Sequence, residues 1–138
     1  MNTATPHYAE HMKSITGSIS AIDRVVLILK YTYGLVPIVA GFDKFTQLLV
    51  DWDKYLAPAI AGILPFSAHT FMLIVGVIEI VAGILVLIKP KIGSIIVCLW
   101  LLGIAINLLM TGQFFDIAVR DIVMSIGAFC LFTLLKDK

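Results

Sequence analysis

FMLIVGVIEIVAGILVLI, residues Phe71–Ile88, is the stretch that decides the fold, because Glu79 is its only charged residue. A helix that crosses a membrane needs about 20 mostly apolar residues, since each adds ~1.5 Å and the bilayer core is ~30 Å thick. A strand is usually only about five or six residues long. The stretch therefore predicts a transmembrane helix with one acidic side chain near its middle.

Three further stretches have the same character. Val25–Phe42 is interrupted only by Lys30, Ile92–Met110 carries no charge, and Ile117–Leu135 is charged only near its start. The backbone groups have no water to bond in lipid, so such stretches form helices. We predict an all-α protein with four spans, at about residues 21–42, 69–89, 92–111 and 117–135.

The links between the later spans are short. Lys89–Lys91 joins spans two and three, and Thr111–Asp116 joins spans three and four. Short links place consecutive helices side by side and antiparallel. Residues 21–138 are therefore expected to form one integral membrane domain, an antiparallel four-helix bundle.

The composition points to the same class. Of the 138 residues, 60% are hydrophobic and 14% are charged. Soluble domains carry about 25% charged residues, so this chain has too few to cover a soluble surface. Such high hydrophobicity also excludes a disordered chain. The formal net charge of +1 gives no electrostatic reason to expect nucleic acid as a partner.

The connection between spans one and two has a hydrophobic pattern of its own. Apolar residues recur there at helical spacing, and the Trp and Tyr among them favour the membrane interface. These residues are Phe45, Leu48, Leu49, Trp52, Tyr55 and Leu56. We predict a short interfacial helix, ended and limited in length by Pro58 and Pro65 because proline breaks the helical hydrogen-bond ladder. The alternative is a plain surface loop.

Residues 1–20 form a separate N-terminal segment. Apolar side chains spaced three and four residues apart predict an amphipathic helix that lies on the membrane surface or docks on a partner. They are Tyr8, Met12, Ile15, Ile19 and Ile22. A frayed tail is the alternative. Ser20 with Asp23 resembles a capping box, which would start the first span there.

The basic residues are distributed unequally between the two membrane sides. On the side of the N-terminus lie Lys13, Arg24, Lys30, Lys89, Lys91, Lys136 and Lys138. On the other side lie Lys44, Lys54 and Arg120. Because Lys and Arg are enriched in cytoplasmic loops, we predict that both termini are cytoplasmic.

Glu79 is the most informative residue, since a charge at mid-membrane depth costs at least a few kcal/mol. Lys30 is the nearest basic residue by depth, with an expected offset of ~6 Å along the helix axes. Asn107 in span three is close enough in depth to add a hydrogen bond. We predict a polar intramembrane site of Glu79, Lys30 and Asn107. A structural role in helix packing and a functional role both remain open.

A second polar cluster is expected at the outer mouth of the bundle. Asp116 and Arg120 are spaced i, i+4, which lets them pair on one helix face. Asp121 follows, and Asp43 and Lys44 end the first span. We favour a role as interface anchors that set helix depth. The alternative is an entrance for a polar or anionic ligand.

No residue pattern points to catalysis. The chain has two cysteines, Cys98 and Cys130, without a CxxC motif, and we expect both to be buried free thiols. His7 and His11 share a helix face, but two ligands alone make a weak metal site. We therefore predict no catalytic residue, no metal and no intrinsic cofactor; a bound lipid or quinone is compatible with the sequence.

Three short motifs carry a family resemblance. Gly41–Phe45 reads GFDKF, Gly76–Gly83 reads GVIEIVAG, and Asp116–Asp121 reads DIAVRD. With these motifs the chain, from Arg24 onward, resembles the DoxX-like family of small four-span membrane proteins. The resemblance implies a bundle in the bacterial cytoplasmic (inner) membrane. Some members are linked to oxidoreductase complexes, including the membrane part of thiosulfate:quinone oxidoreductase.

Two functions follow as expectations. The first is a small multi-pass subunit of a larger respiratory or oxidoreductase complex, which acts in assembly or anchoring rather than catalysis. Its partners would be membrane lipid and other membrane protein subunits. The second is a small carrier or binding bundle for a quinone, lipid or weak acid, with Glu79 as the group that contacts the ligand.

Overall fold

The computed structural model describes residues 6–137, with the side chains of Thr16 and residues 18–20 left out. Every long element in this range is helical. The α-helices are α1 (Pro6–Thr46), α2 (Pro58–Ala61), α3 (Ala68–Ile88), α4 (Pro90–Thr111) and α5 (Phe115–Lys136), and a 3-10 helix spans Trp52–Tyr55. The all-α prediction is confirmed.

Four of the helices within residues 6–137 are long and apolar enough to cross a membrane. The candidate spans are Ala21–Thr46, Ala68–Ile88, Pro90–Thr111 and Phe115–Lys136. They pack against one another as consecutive antiparallel helices. The prediction of a four-helix membrane bundle is therefore confirmed, and the predicted ends of the spans differ from these by a few residues.

Local chemistry sets the two tight turns of the bundle. Lys89 leaves helical geometry between α3 and α4, and Pro90 starts α4. Proline suits this first position, because its missing N–H would have no helical partner anyway. Gly112 ends α4 with a φ of 71°, which glycine adopts at no steric cost.

The helices form two close pairs. α1 packs mainly on α3, which we call the first pair, and α4 packs mainly on α5, which we call the second pair. Fewer residues connect α3 with α4. Within the second pair, the Ser125 hydroxyl donates to the Cys98 carbonyl oxygen at 3.0 Å. The bundle thus consists of two helical pairs that meet mainly where α3 packs on α4.

Glycines bring the backbones of α1 and α3 into contact. A Cβ on Gly76 would lie 2.8 Å from the Gly41 carbonyl oxygen, and a Cβ on Gly83 would clash with the Gly34 carbonyl oxygen. Small residues permit this approach between membrane helices. The contacts fix the register, so Gly41 lies opposite Gly76 and Gly34 lies opposite Gly83.

The buried core has two parts. One part, toward the Lys89 end of the bundle, includes Val86 of α3, Val97 of α4 and Leu131 of α5; the other, toward the α1–α3 connection, includes Leu108 of α4 and Ala118 of α5. Along α5, ten residues, or nearly three turns, separate Ala118 of one part from Ala128 of the other, and the candidate site lies at this level.

The connection between α1 and α3 differs from the predicted single interfacial helix. Short helices are present, but Phe45 belongs to α1, and a non-helical segment that bends at Leu48 and Leu49 separates α1 from the 3-10 helix. The reason is local capping. The Asp43 carboxylate accepts the N–H groups of Leu48 and Leu49, both at 3.0 Å, where the helix ends. Pro58 starts α2 rather than ending a helix.

The first helix starts earlier than predicted. α1 runs without a break from Pro6 through the Ser20–Asp23 motif, so no helix begins there. Gly17 alone lowers helix stability by only about 1 kcal/mol, which is too little to stop a helix of this length. The N-terminal segment is thus helical from Pro6; residues 1–5 and the side chains of Ile19 and Ser20 lie outside the described part.

Candidate functional site

A buried ion pair lies between the two helices of the first pair. Lys44 Nζ is 2.6 Å from Glu79 Oε2, and the two residues are 3% and 5% exposed. Glu79 thus faces the bundle interior, as an acidic residue at this depth must. The pair stands at the level between the two parts of the core.

The prediction that Lys30 is the partner of Glu79 was wrong. The glycine register places Ile38 opposite Glu79. Lys30 is eight residues earlier in α1 and so lies roughly 12 Å from Glu79 along the helix axis, toward the Lys89 end of the bundle. Helical side chains also tilt toward the N-terminus of their own helix. Because α1 and α3 are antiparallel, Lys44 and Glu79 tilt toward each other, whereas Lys30 and Glu79 tilt apart.

Two indole rings flank the ion pair. Lys44 Nζ lies 3.7 Å from the centroid of the Trp52 ring, a distance typical of a cation–π contact. The Trp100 indole N–H donates to Glu79 Oε1 at 3.5 Å. These are the only two tryptophans in the chain. No pattern in the sequence points to Trp100, and for Trp52 the pattern predicts only a place at the membrane interface.

Asp43 holds the connection in place above the ion pair. Besides capping the end of α1, its carboxylate accepts the Trp52 indole N–H at 2.7 Å. This bond fixes the ring that covers Lys44. Asp43 was predicted at the outer mouth, and the structure shows it to bind the connecting segment there.

Asn107 also bonds to the connection rather than to Glu79, so the predicted intramembrane cluster needs correction at this residue. Its side-chain oxygen accepts the Ala57 N–H at 2.9 Å, and its amide nitrogen donates to the Tyr55 carbonyl oxygen at 2.7 Å. The backbone leaves helical geometry at this point, so these groups need partners from elsewhere.

The structure divides the predicted outer-mouth cluster. Arg120 and Asp116 form the expected i, i+4 pair at 3.7 Å, and both side chains are exposed. Asp121 is one position, or about 100°, further around α5. It is only 7% exposed and is close enough to interact electrostatically with Glu79 and Lys44. The cluster therefore contributes Lys44 and Asp121 to the interior and leaves Asp116 and Arg120 outside.

Asp121 has no hydrogen bond and no ion pair within 4 Å among residues 6–137. It lines a cavity of about 360 Å³ that it shares with Glu79 and Lys44. All four spanning helices and the connection contribute lining residues, which are mostly apolar. The volume is within the range of small-molecule pockets.

The cysteines and the acidic residues provide no second site. Cys98 is buried against the Ser125 hydroxyl at 3.2 Å, as expected, but Cys130 is exposed and not buried as predicted. Within the described residues, no three His, Cys, Asp or Glu side chains are grouped to hold a metal. The cavity that Glu79, Lys44 and Asp121 share is therefore the candidate site, and its mostly apolar lining with a few charged groups suits a molecule with an apolar body and a polar end.

Comparisons of the chain with protein-family models, with curated proteins and with solved structures found no match. The functional argument therefore rests on the geometry of the cavity.

Proposed function

We propose that this chain is a membrane-embedded binding protein for a small amphipathic molecule. The apolar body of the ligand would occupy the cavity, and its polar end would meet the Glu79–Lys44 level. The observation that carries the proposal is the buried ion pair beside a cavity of about 360 Å³.

The cavity separates this proposal from a purely structural role for the ion pair. A pair that only fixed helix packing would be best surrounded by close-packed side chains. Here the side chains that line about 360 Å³ of space have no protein neighbours on one side, so they lack part of the dispersion contacts that close packing gives. A bound molecule restores the lost contacts, and a quinone or lipid has a suitable apolar body.

Tryptophan fluorescence offers a direct test, because Trp52 and Trp100 both line the cavity. The purified protein in phosphatidylcholine nanodiscs is titrated with menadione, a small quinone that quenches indole emission. We expect saturable quenching. The control carries Trp52→Phe, Trp100→Phe and Leu99→Trp, which moves the indole to a position 62% exposed on the outer surface. For this control we expect only quenching that rises linearly with the amount of menadione dissolved in the lipid.

A cavity-filling variant provides the second arm. Gly103 lines the cavity, and a Cβ at this position would meet no atom within 4 Å. Gly103→Leu should therefore fold normally and weaken menadione binding at least ten-fold, while Gly103→Ala changes it little. Equal, linear quenching in the wild type and in the Leu99→Trp control would contradict the proposal.

A second candidate function is a non-catalytic membrane subunit of a respiratory or oxidoreductase complex in the bacterial inner membrane, as the DoxX-like resemblance implies. What favours it is the extension of α1 beyond its span, where Tyr8 and Ile15 are exposed. They are seven residues apart and so share one face of the helix, which suits a partner subunit.

This second function is tested by purification from the native membrane in mild detergent. We expect a companion protein to copurify with the wild type and with the Glu10→Lys variant, which changes the face of α1 opposite Tyr8 and Ile15. The double variant Tyr8→Glu/Ile15→Glu should lose it. Recovery of the wild-type chain alone would contradict the subunit function and leave the binding function in place.

A further inference from the structure

The polar groups around the cavity are not equivalent, because most already have partners. Glu79 is bonded to Lys44 and Trp100. Asn107 uses both ends of its amide on the connection. Asp121 alone of the carboxylates that line the cavity lacks a hydrogen bond or ion pair within residues 6–137.

From this we infer that the ligand of the cavity is an organic monocation whose positive end is bound by Asp121. The inference rests on the proposed binding function and gives its ligand a chemical class. It assigns the contact with the ligand to Asp121 rather than to Glu79, which the sequence favoured.

The first argument is the state of Asp121. A polar group buried without a partner loses its hydration and gains nothing in return, and an unpaired charge loses more. Asp121 is only 7% exposed, and the cavity is the space that it borders. A cationic ligand would supply the missing partner within the cavity that this carboxylate lines.

The second argument is the charge around the cavity. Lys44 neutralises Glu79 at 2.6 Å, so the formal charge of Asp121 remains uncompensated. A ligand with a single positive charge makes the cavity neutral. An anion would add a second uncompensated negative charge in a region of low dielectric constant, where like charges repel strongly.

The third argument is the aromatic lining. Trp52, Tyr55 and Trp100 all border the cavity, and aromatic faces attract cations through their quadrupoles. The Trp52 ring already binds one cation in this way, the Lys44 ammonium. Rings of this kind favour a delocalised organic cation with an apolar body over a small hydrated metal ion.

Two probes of matched shape test the inference. 1-Methyl-4-phenylpyridinium is a flat organic monocation, and 4-methylbiphenyl is its neutral isostere. Binding of each to the full chain in phosphatidylcholine nanodiscs is measured by equilibrium dialysis, with empty nanodiscs as background. We expect the wild type to bind the cation at least ten-fold more tightly than the neutral probe.

Variants of α5 locate the effect. Asp121→Asn should weaken cation binding at least ten-fold and leave 4-methylbiphenyl within two-fold of the wild type. Asp121→Glu keeps the carboxylate and should retain binding of the cation. Asp116→Asn is the matched control, because Asp116 is exposed and pairs with Arg120; both probes should bind it as they bind the wild type.

The outcomes distinguish failure of the monocation inference from failure of the proposed binding function. Equal binding of both probes to the wild type, or unchanged cation binding in Asp121→Asn, would overturn the monocation inference and leave a binding cavity. Failure of the wild type to bind either probe or menadione would overturn both. If Asp121→Asn does not fold, the folded Asp121→Glu variant decides: cation binding at least ten-fold tighter than binding of the neutral probe supports the role of the carboxylate, whereas equal binding of both probes counts against it.

Discussion

Two neighbouring residues of α1 have separate tasks at the residue scale. Asp43 caps the end of its helix and holds Trp52 through the indole N–H. Lys44 turns back along the helix to Glu79 and lies under the same indole ring. The connection and the ion pair are thus fixed together through one side chain, Trp52.

Removal of one partner from the ion pair should be costly. Glu79→Ala leaves the Lys44 ammonium buried without its counter-charge, which typically costs about 3–5 kcal/mol. The double variant Lys44→Met/Glu79→Met removes both charges and should be far less destabilised than Glu79→Ala. Chemical unfolding in detergent compares the free energies of unfolding of the two variants with that of the wild type. A double variant at least as unstable as the single one would contradict the prediction.

The presence of a buried acid was predictable from the sequence, but its partner was not. Glu79 interrupts an apolar stretch, so hydropathy alone places it in the membrane. Its pairing with Lys44 depends on the helix register and on the tilt of the side chains. Asp121 was recognised only as one charge of a cluster, since a rotation of about 100° separates it from the exposed Arg120.

At the scale of the elements, glycines determine how α1 meets α3. Gly76 and Gly83 of α3 lie against Gly41 and Gly34 of α1, and their lack of side chains permits the contact. The register that results brings Lys44 within reach of Glu79. The position of the ion pair therefore depends on residues that carry no charge.

A side chain at the glycine contact should disturb this register. Gly83→Ala places a Cβ against the Gly34 carbonyl oxygen, and such overpacking costs about 1–3 kcal/mol. Gly103→Ala is the matched control. Its Cβ meets nothing within 4 Å, so the gain in helix propensity should stabilise the protein by up to about 1 kcal/mol. Thermal unfolding in the same detergent tests whether Gly83→Ala lowers the unfolding temperature and Gly103→Ala raises it.

The connection shows where pattern alone is insufficient. Helical spacing from Phe45 to Leu56 predicted one interfacial helix, yet side-chain caps divide the segment. A carboxylate that accepts backbone N–H groups competes directly with the helical ladder. The spacing of apolar residues cannot reveal which of these two hydrogen-bond patterns is formed.

At the scale of the whole molecule, the length and hydropathy of the spans were sufficient to predict the bundle. Each span is longer than the bilayer requires, and lipid permits few alternatives to a helix. The cavity could not be predicted in this way, because it depends on how four helices and a connection pack together. Its lining residues come from positions 36 to 121 of the chain.

The orientation in the membrane is a prediction of the charge distribution. In a variant with Cys98→Ser and Cys130→Ser, single cysteines replace Gln113 or Lys136 at opposite ends of the bundle. A maleimide that cannot cross the membrane should label position 113 in intact cells and position 136 only after permeabilisation. The reverse pattern would show that the termini face outward.

The division of the bundle into two pairs has a mechanical consequence. Lys44 and Glu79 belong to the first pair, whereas Trp100 and Asp121 belong to the second, and Lys89 is the covalent joint between them. The glycine contacts and the Ser125–Cys98 bond each lie inside one pair. A separation of the two pairs about Lys89 would leave the contacts inside each pair in place, but it would break the Trp100–Glu79 bond and the 2.7 Å bond that the Tyr33 hydroxyl donates to the Met124 carbonyl oxygen.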